Sequence, residues 1–476
     1  METVSLNVNR ICECDVCVVG GGVGGVSAAV SAARYGANTI LIESTGCLGG
    51  QATLGLVTPL DARKSRDGKH FGGLIDEIFN ETKELSDKYC AADDASEGYA
   101  ISPHVLKYVL IEKADNAGVS MHFHTSIISA KTSGNKITAI YATDKSGIIK
   151  IKAKTFIDAS GDAVLTALSG AENVVGSEHG VYDILMSNDL DKAHFSDTKH
   201  EAYSHDGMMQ PVSIFILIGG LTDDAREKAM ALNNKVLKFG DLGISKEKFL
   251  AWKFAGTCGF ELDGDKIPMP QGRILLSKTP RNDVVAVNMS RVIGIDGSDA
   301  SSLNEGEVKA QKQVIAIVDF LKTFIPGFEN AYYIQSGFTL GVRESRRMVG
   351  RYVLTGNDAI NCRTFEHCVA RGSYLIDIHD PSGKAKAIGG AIKGAFYDIP
   401  YECLVSKTYD NLLACGRCIS SDHVAHASTR IQGTCIMTGQ AVGTAAAIAA
   451  KKDIDASDID VSYLREVLIA DGVYIN

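Results

Sequence analysis

The sequence predicts an α/β protein in which a nucleotide-binding domain is assembled from both ends of the chain and a second domain is inserted between them. Three observations carry this prediction. A strand, a glycine turn, a helix and a second strand follow one another from about residue 15, and a strand with an Ala-rich helix returns after about residue 411. Between them lie further strand-like segments and one long segment with helical periodicity.

The first of these segments has the order of a dinucleotide-binding fingerprint. A short apolar strand runs from Asp15 into Gly20, Gly22 and Gly25 at GxGxxG spacing, and the helix and strand that follow lead to Glu43. We expect Gly20 to make the tight turn, Gly22 to admit a pyrophosphate, and Gly25 to let helix and strand pack closely. The acid is expected to accept hydrogen bonds from the adenosine ribose hydroxyls. This is a Rossmann-like unit.

Five later segments complete the predicted nucleotide domain. Gly49 and Gly50 provide a second turn without side chains, so a flat ring can approach its backbone closely. Strands are predicted over residues 119–127 and from residue 155, the latter leading into a helix through Gly161. Near the end of the chain, residues 411–418 read as a strand, and residues 434–450 read as an Ala-rich helix.

Together these segments resemble the FAD-dependent oxidoreductase family of the glutathione-reductase-like flavoprotein group, in the branch without a NAD(P)H domain. The resemblance covers nearly the whole chain. Its most specific motifs, besides the fingerprint with Glu43, are Leu48–Thr53, Ile157–Asp162, Gly341–Arg347 and Asn411–Cys418.

The resemblance implies FAD as cofactor and a Rossmann-like FAD-binding domain with an inserted substrate or cap domain that contains a β-sheet. It further implies that Ile127 offers its backbone to the adenine and that the last Ala-rich helix points its N-terminus at the flavin pyrimidine ring, where it would stabilise negative charge. The residues expected to hold the cofactor are Gly20, Gly22, Gly25, Glu43, Gly49, Gly50, Ile127, Gly161, Asp162, Gly416, Arg417, Gly433, Thr434 and Cys435.

The chain departs from the wider group in three respects. Gly416 and Arg417 stand where much of the group has Gly-Asp, whose acid holds the ribityl chain, so the group that does this here is open. Cys47 lacks the partner that a CxxxxC disulfide requires, and no second GxGxxG unit follows. We therefore expect electron exchange with a separate donor or acceptor rather than with a nicotinamide bound to a domain of its own.

The predicted domains are discontinuous. Residues 1–60, 101–175 and 405–476 form the FAD-binding domain, and residues 61–100 and 176–404 form the substrate or cap domain. In the latter, segments 210–219 and 283–292 are predicted strands, and segment 305–324 is a predicted helix.

The candidate catalytic residues are Arg343, His379, His423 and His426. Arg343 begins the charge cluster Arg343–Arg347, whose guanidinium groups suit a carboxylate or an anionic flavin. A histidine beside the flavin is suited to take a proton as hydride leaves the substrate. The alternative is that the charge cluster forms a solvated helix face with an internal ion pair. The three histidines are not separable by sequence.

Composition narrows the function classes. The net charge of −9 and the lack of a long basic run argue against a nucleic-acid partner. We expect no membrane span, no metal, reduced cysteines and a cytoplasmic location. The predicted function is hydride transfer between flavin N5 and a small polar, possibly anionic, metabolite. Two alternatives are an NAD-dependent dehydrogenase and a relative of RNA-modifying flavoproteins.

Overall fold

The structure is a computed structural model. It describes residues 7–90, 101–178, 206–233, 274–381 and 389–476, together with residues 5 and 181 and two short strands at 260–262 and 265–267. Parts of the two predicted cap segments, 61–100 and 176–404, therefore lie outside the described residues.

The strands and helices are numbered in chain order. The strands are β1 (Val8–Val19), β2 (Thr39–Ile42), β3 (Ser120–His122), β4 (Ser126–Ser133), β5 (Lys136–Asp144), β6 (Gly147–Asp158), β7 (Asn173–Val175), β8 (Ile216–Gly219), β9 (Phe260–Leu262), β10 (Asp265–Ile267), β11 (Leu276–Lys278), β12 (Val284–Val287), β13 (Tyr332–Ser336), β14 (Arg346–Met348), β15 (Cys368–Gly372), β16 (Tyr397–Pro400) and β17 (Leu412–Ala414). The α-helices are α1 (Val23–Arg34), α2 (Leu74–Tyr89), α3 (Pro103–Asn116), α4 (Val164–Ser169), α5 (Asp223–Leu232), α6 (Ala300–Phe324), α7 (Gly356–Ile360), α8 (His423–Thr429), α9 (Gln432–Lys452) and α10 (Val461–Ala470).

The main sheet has the predicted dinucleotide-binding topology. Strands β3, β2, β1, β6 and β17 are neighbours in this order and run parallel. The first half of β6 also pairs with β5, which pairs with β4, and both of these pairings are antiparallel. Strand β2 and the last four residues of β1 are buried, as expected for parallel strands covered by helices on both faces. The α/β fold with a Rossmann-like FAD-binding sheet is confirmed.

Helices α1 and α9 pack against each other with their backbones in close approach. A Cβ atom at Gly439 would lie 2.1 Å from the carbonyl oxygen of Gly24, and one at Gly443 would lie 2.1 Å from that of Ala28. Only glycine fits at these two positions of α9. Within the described ranges, α9 alone is long and apolar enough to span a membrane, and its apolar window is entirely buried in the protein.

A second sheet forms the inserted region, with strand order β11-β12-β8-β13. Alternate residues of β8 and β12 point to opposite faces, as the period of a strand requires. Ile216, Ile218 and the side chains on the same face pack with α5 and α6 in a separate hydrophobic cluster. Leu217 on the other face packs against Leu56, so this sheet covers the loop that follows Gly49 and Gly50.

Two expectations differ from the structure. The strand predicted over residues 119–127 is divided into β3 and β4, because His124 adopts a left-handed backbone with φ of 50°. The predicted domain boundaries stay a prediction, and hydrophobic packing does not follow them everywhere. Side chains of α2, at 74–79, and of residues 354–405 join the core around α1 and α9.

Candidate functional site

The glycine turn between β1 and α1 leaves open space at one position. Gly20 has φ of 106° and donates its N–H to Ile42 over 2.8 Å. A Cβ atom at Gly25 would lie 1.9 Å from the carbonyl oxygen of Gly20, whereas a Cβ atom at Gly22 would meet no atom within 4 Å. Gly22 caps α1 without a side-chain hydrogen bond, so the first N–H groups of the helix face this space. An anion fits there.

Glu43 lies at the edge of that space. Its carboxylate accepts the N–H of Gly21 at 2.8 Å and that of Thr45 at 2.7 Å. Each carboxylate oxygen has two acceptor sites, so the group can accept further hydrogen bonds from a ribose. The carbonyl oxygen of Glu43 accepts the N–H of Thr125, which brings Ile127, at the start of β4, to the same edge of the sheet.

Gly49 and Gly50 lie against the fingerprint turn. Gly49 donates its N–H to Gly21 at 2.8 Å and forms a parallel bridge with Gly22. Both Gly49 and Gly50 have positive φ, 104° and 54°. A Cβ atom at Gly50 would lie 3.3 Å from the Cα atom of Gly22. This second bare turn therefore borders the phosphate side of the proposed cofactor site.

An ion pair joins two loops at the carboxyl end of the sheet. Gly416, with φ of 77°, donates its N–H to the hydroxyl of Thr438 in α9. The next residue, Arg417, forms an ion pair with Asp162 at 2.7 Å, and Ser345 donates a hydrogen bond to the same carboxylate. A Cβ atom at Gly161 would lie 3.0 Å from the Arg417 guanidinium. A carboxylate from another loop therefore stands beside Arg417, where the wider group has its acid.

The N-terminus of α9 carries further polar groups. Gly433 donates its N–H to the carbonyl oxygen of Asp61 at 3.1 Å. The buried hydroxyl of Thr434 and the buried side-chain oxygen of Gln432 have no hydrogen-bond partner within the described residues. Burial raises the pKa of the Cys435 thiol to about 12, so this thiol stays protonated. Unpartnered polar atoms at a helix N-terminus indicate a ligand site.

Arg343 lies in a cluster of charged side chains with Asp377, His379 and Arg430, which we call the Arg343 cluster. Its guanidinium donates to the carbonyl oxygen of Pro211 at 2.5 Å and has no carboxylate partner within the described ranges. Arg430 donates to the side chain of Asp377 at 3.3 Å, and its Nε is buried without a partner there. Burial, together with the nearby Arg430, lowers the pKa of Arg343 to about 9, which leaves it charged at neutral pH.

His379 belongs to the same cluster. Its ring Nε2 lies 3.4 Å from the carboxylate of Asp377, and its backbone N–H donates to the side-chain oxygen of Gln210 at 3.1 Å. Burial and the nearby Arg343 lower the pKa of His379 to about 4, so the imidazole is neutral at neutral pH. The amide nitrogen of Gln210 is buried and has no partner in the part of the chain that the structure describes.

The rest of the segment Arg343–Arg347 corrects one expectation. The segment is not helical and runs into β14, so the solvated helix face of the alternative is wrong, whereas its internal ion pair is present between Glu344 and Arg347. Arg347 is wholly buried and pairs with Glu344 at 2.7 Å and Glu178 at 3.2 Å. The Arg347 guanidinium is therefore part of a buried ion-pair network.

His423 belongs to this buried network and not to the Arg343 cluster. Its Nδ1 lies 2.7 Å from the Glu344 carboxylate, and neither side chain is exposed. Burial opposes protonation, but Glu344 raises the pKa of His423. A proton-handling role for His423 loses its support, because the side chain is already committed to Glu344. His426, one turn later in α8, is buried with both ring nitrogens unpartnered within the described residues.

Sequence reasoning missed Asp61 and assigned no role to Arg430. Both belong to the Arg343 cluster only through the tertiary fold, and neither has a sequence motif of its own that marks it. Burial, and to a smaller extent Asp377, raise the pKa of Asp61 to about 6. The one available signal was that Asp61 lies in the loop that follows the turn at Gly49 and Gly50.

The residues fit FAD by two observations of the structure. Open space at Gly22 meets the free N–H groups of α1, and unpartnered polar atoms surround the start of α9. FAD would span the distance between these two helix ends, with Glu43 near its ribose. Among the described residues, no three His, Cys, Asp or Glu side chains are grouped to hold a metal ion.

Comparisons with known proteins identify a family. The family model described as FAD dependent oxidoreductase matches residues 15–468. A comparison with curated proteins finds no match.

Solved structures with a similar fold include three flavin-related or reductase-like proteins. A geranylgeranyl bacteriochlorophyll reductase-like protein from Thermoplasma acidophilum is 12% identical, with 97% of this chain and 84% of that chain covered and a TM-score of 0.41. The myxobacterial chondrochloren halogenase is 10% identical, with coverages of 96% and 78% and a TM-score of 0.44. A p-nitrophenol 4-monooxygenase from Pseudomonas putida is 10% identical, with coverages of 98% and 90% and a TM-score of 0.41. At these sequence identities and TM-scores, the similarity supports no conclusion about the reaction that this chain catalyses.

Proposed function

The chain belongs to the FAD dependent oxidoreductase family, and we propose that it transfers a hydride between flavin N5 and a small, polar, anionic metabolite. FAD supplies the two-electron chemistry when it is bound. The protein supplies the residues that bind the cofactor, a positively charged side chain that binds the substrate, and a group that exchanges a proton with it.

One observation carries the anionic character of the substrate. The Arg343 guanidinium is largely enclosed, yet within the described residues its hydrogen bond goes to a neutral carbonyl group, that of Pro211. The nearby Asp377 carboxylate makes its ion pairs with His379 and Arg430, so the enclosed Arg343 guanidinium has no directly bonded carboxylate within the described residues, and a substrate carboxylate or phosphate would supply one. The Nε of Arg430 and the amide nitrogen of Gln210 are further unpartnered donors that suit an anion.

The proton-handling residue is part of the proposal. His379 is neutral at neutral pH, so its free ring nitrogen is suited to accept a proton from a substrate hydroxyl. Its contact with Asp377 orients the ring. His426 is the second candidate, because burial lowers its pKa well below the usual value and both ring nitrogens lack described partners.

The remaining cofactor roles are proposed from their geometry. Gly22 and the first turn of α1 would hold the pyrophosphate, Glu43 the ribose, and the backbone near Ile127 the adenine. Asp162 and Arg417 would bind the ribityl chain of FAD. The backbone from Gly433 to Cys435 would contact the pyrimidine end of the flavin ring.

Membership of the FAD dependent oxidoreductase family argues against the alternative of an NAD-dependent dehydrogenase, because the family uses FAD. No observation favours the alternative of an RNA-modifying relative, and salt-dependent retention on RNA would be needed to support it.

The function is tested by anaerobic incubation of the purified flavoprotein with a panel of metabolites. Loss of oxidised-flavin absorbance identifies the substrate class, and we expect anionic compounds to be the active ones. Arg343→Gln should raise the KM of such a compound roughly 10- to 100-fold, as expected when a charged hydrogen-bonding partner is lost. The exposed Arg281 provides a matched control, Arg281→Gln. Reduction by neutral compounds alone, or an unchanged KM in Arg343→Gln, contradicts the proposal.

A further inference from the structure

Asp61 is held at the start of α9 by its backbone. Its carbonyl oxygen accepts the N–H of Gly433 at 3.1 Å. A Cβ atom at Gly433 would lie only 2.5 Å from that oxygen, so the loop at Asp61 presses directly on the first turn of the helix. This is the helix end that we propose for the flavin pyrimidine ring. Asp61 therefore borders the cofactor and the Arg343 cluster at once.

The backbone at this point is strained. Ala62, the next residue, adopts φ of 60° although it is not glycine, and it is buried. Such a conformation is unfavourable for a residue with a Cβ atom and persists only where the surrounding packing enforces it. The packing of this loop on α9 therefore fixes the place of Asp61, and strained residues of this kind cluster at functional sites.

The Asp61 side chain has no hydrogen bond or ion pair within the described residues, although it is only partly accessible. Asp377 raises the pKa of Asp61, and Asp61 in turn raises the pKa of Tyr374. The positive charge of Arg430 lowers the pKa of both Asp377 and Tyr374. An unpartnered carboxyl group beside an ionised one is suited to exchange a proton with a ligand.

The two carboxyl groups differ in their titration. Burial and Asp377 raise the pKa of Asp61 to about 6. Burial alone would also raise the pKa of Asp377, but His379, Arg430 and Arg343 together lower it. Two nearby carboxyl groups with pKa values moved apart are typical of a pair in which one exchanges protons and the other stays ionised.

We infer that Asp61 accepts the hydroxyl proton of a small hydroxy carboxylate whose carboxylate binds Arg343. This inference rests on the reaction and the anionic substrate of the proposed function, names the substrate class, and assigns to Asp61 the proton for which His379 was the candidate acceptor. In the step, the substrate O–H and C–H bonds break and a C=O bond forms. The proton goes to the Asp61 carboxylate, and the hydride goes with its electron pair to N5 of FAD.

The charge of the cluster favours a hydroxyl over an amine. Arg343, Arg430 and Arg291 all act electrostatically in this cluster, so a substrate ammonium group would be repelled. A hydroxyl group is neutral and needs a base of moderate strength in contact. Asp61, which titrates closer to neutral pH than His379 does, is the better matched base.

The experiment uses the holoenzyme with glycolate, L-lactate, D-lactate and L-malate as probes, and propionate and succinate as acids without the hydroxyl. We expect flavin reduction by a hydroxy acid, at a rate that rises with pH through about 6 and then levels, because the ionised Asp61 is the active form. Asp61→Asn should slow flavin reduction roughly 100- to 10,000-fold and abolish this rise, with succinate binding changed by less than about 3-fold. Asp61→Glu should recover part of the rate, and the exposed Asp453→Asn is the matched control.

A second measurement does not depend on activity. Because the pKa of Asp61 is raised above its ordinary value of 3.8, its ionised form is disfavoured in the folded state, and folding stability is lost as pH rises through about 6. The Tm of Asp61→Asn should therefore exceed that of the wild type above about pH 6 and match it below about pH 4. A Tm difference that does not vary with pH overturns the inference.

The outcomes separate the two proposals. If no anionic metabolite reduces the flavin, the proposed function itself fails. If anionic compounds reduce it but none of them is a hydroxy carboxylate, or if Asp61→Asn keeps the wild-type rate and pH profile, the proposed function stands and the role of Asp61 is wrong.

Discussion

The guanidinium of Arg417 lies 2.7 Å from the carboxylate of Asp162, although the two residues belong to loops that follow different strands of the main sheet. Asp162 follows β6 and Arg417 follows β17, and these strands are parallel neighbours. The pair therefore closes the carboxyl edge of the sheet beside the proposed cofactor site.

If this ion pair holds the cofactor side of both loops, Arg417→Gln and Asp162→Asn should each weaken FAD binding roughly 3- to 10-fold, which corresponds to about 0.7–1.4 kcal/mol. The double variant should bind about as well as the weaker single variant, because both changes remove one interaction. Titration of the apoprotein with FAD, followed by flavin fluorescence, measures these affinities. The exposed pair of Lys407 and Glu172 supplies the control Lys407→Gln. Additive losses would show that the two residues act separately.

Gly22→Val should remove the cofactor and leave the fold intact. Gly22 has φ of −62° and ψ of 173°, which a β-branched residue adopts without strain, and its Cβ would meet no protein atom within 4 Å. The side chain would instead fill the space for the pyrophosphate. We expect loss of bound flavin on purification, with the circular dichroism and Tm of the apoprotein unchanged. In Gly25→Val the added atoms would clash with the carbonyl oxygen of Gly20, so the fold itself should fail. Full flavin occupancy in Gly22→Val would rule out this role.

Glu344→Gln should destabilise the protein by about 3–5 kcal/mol, because His423 would lose its buried counter-charge and Arg347 would keep only its longer ion pair with Glu178. The effect should depend on pH. Burial opposes ionisation of Glu344, but His423 and Arg347 lower its pKa. The stability that ionised Glu344 contributes is therefore fully present above pH 4.5, its ordinary pKa, and is lost as the pH falls through the folded-state pKa. The pKa of His423 is raised, so the stability that its protonated form contributes is fully present below pH 6.5. This stability is lost as the pH rises through the folded-state pKa of His423.

The stability difference between wild type and Glu344→Gln should therefore be largest between about pH 4.5 and 6.5. Denaturant unfolding at several pH values measures it. The exposed Glu172→Gln should change the stability by less than about 0.5 kcal/mol. Equal losses at pH 5.5 and pH 9 would mean that His423 is not charged in the folded protein.

NADH and NADPH should reduce the bound flavin slowly and without saturation. The GxGxxG spacing followed by helix and acid occurs once in the sequence, and the structure uses that unit for the main sheet. Anaerobic stopped-flow mixing measures the rate, and a quinone analogue should reoxidise the substrate-reduced protein faster than the nicotinamides reduce it. Rapid reduction that saturates at low NADH concentration would disprove the expected separate electron partner.

The fold was predictable where a single segment carries its own pattern. The GxGxxG turn, the acid at Glu43 and the Ala-rich α9 are local features, and each forms the expected element. The break at His124 was not predictable, because a left-handed residue that is not glycine is imposed by contacts from elsewhere. The candidate site was predictable only in part. Arg343 and Arg347 are equivalent in sequence, yet Arg343 lies near Asp377 and Arg430, whereas Arg347 is wholly buried in another ion-pair network. Asp61 becomes a candidate only when α9 packs against its loop.

The backbone contact between α1 and α9 has a consequence for the order of assembly. The two helices are far apart in the sequence, and each borders one end of the proposed FAD site. During synthesis, α1 leaves the ribosome long before α9 exists, so the nascent chain carries a fingerprint turn that cannot yet grip its ligand. Closing so long a loop is a slow step in folding. We therefore expect flavin to bind late, when the chain is nearly finished, and the apolar face of α1 that α9 later covers stays exposed until then.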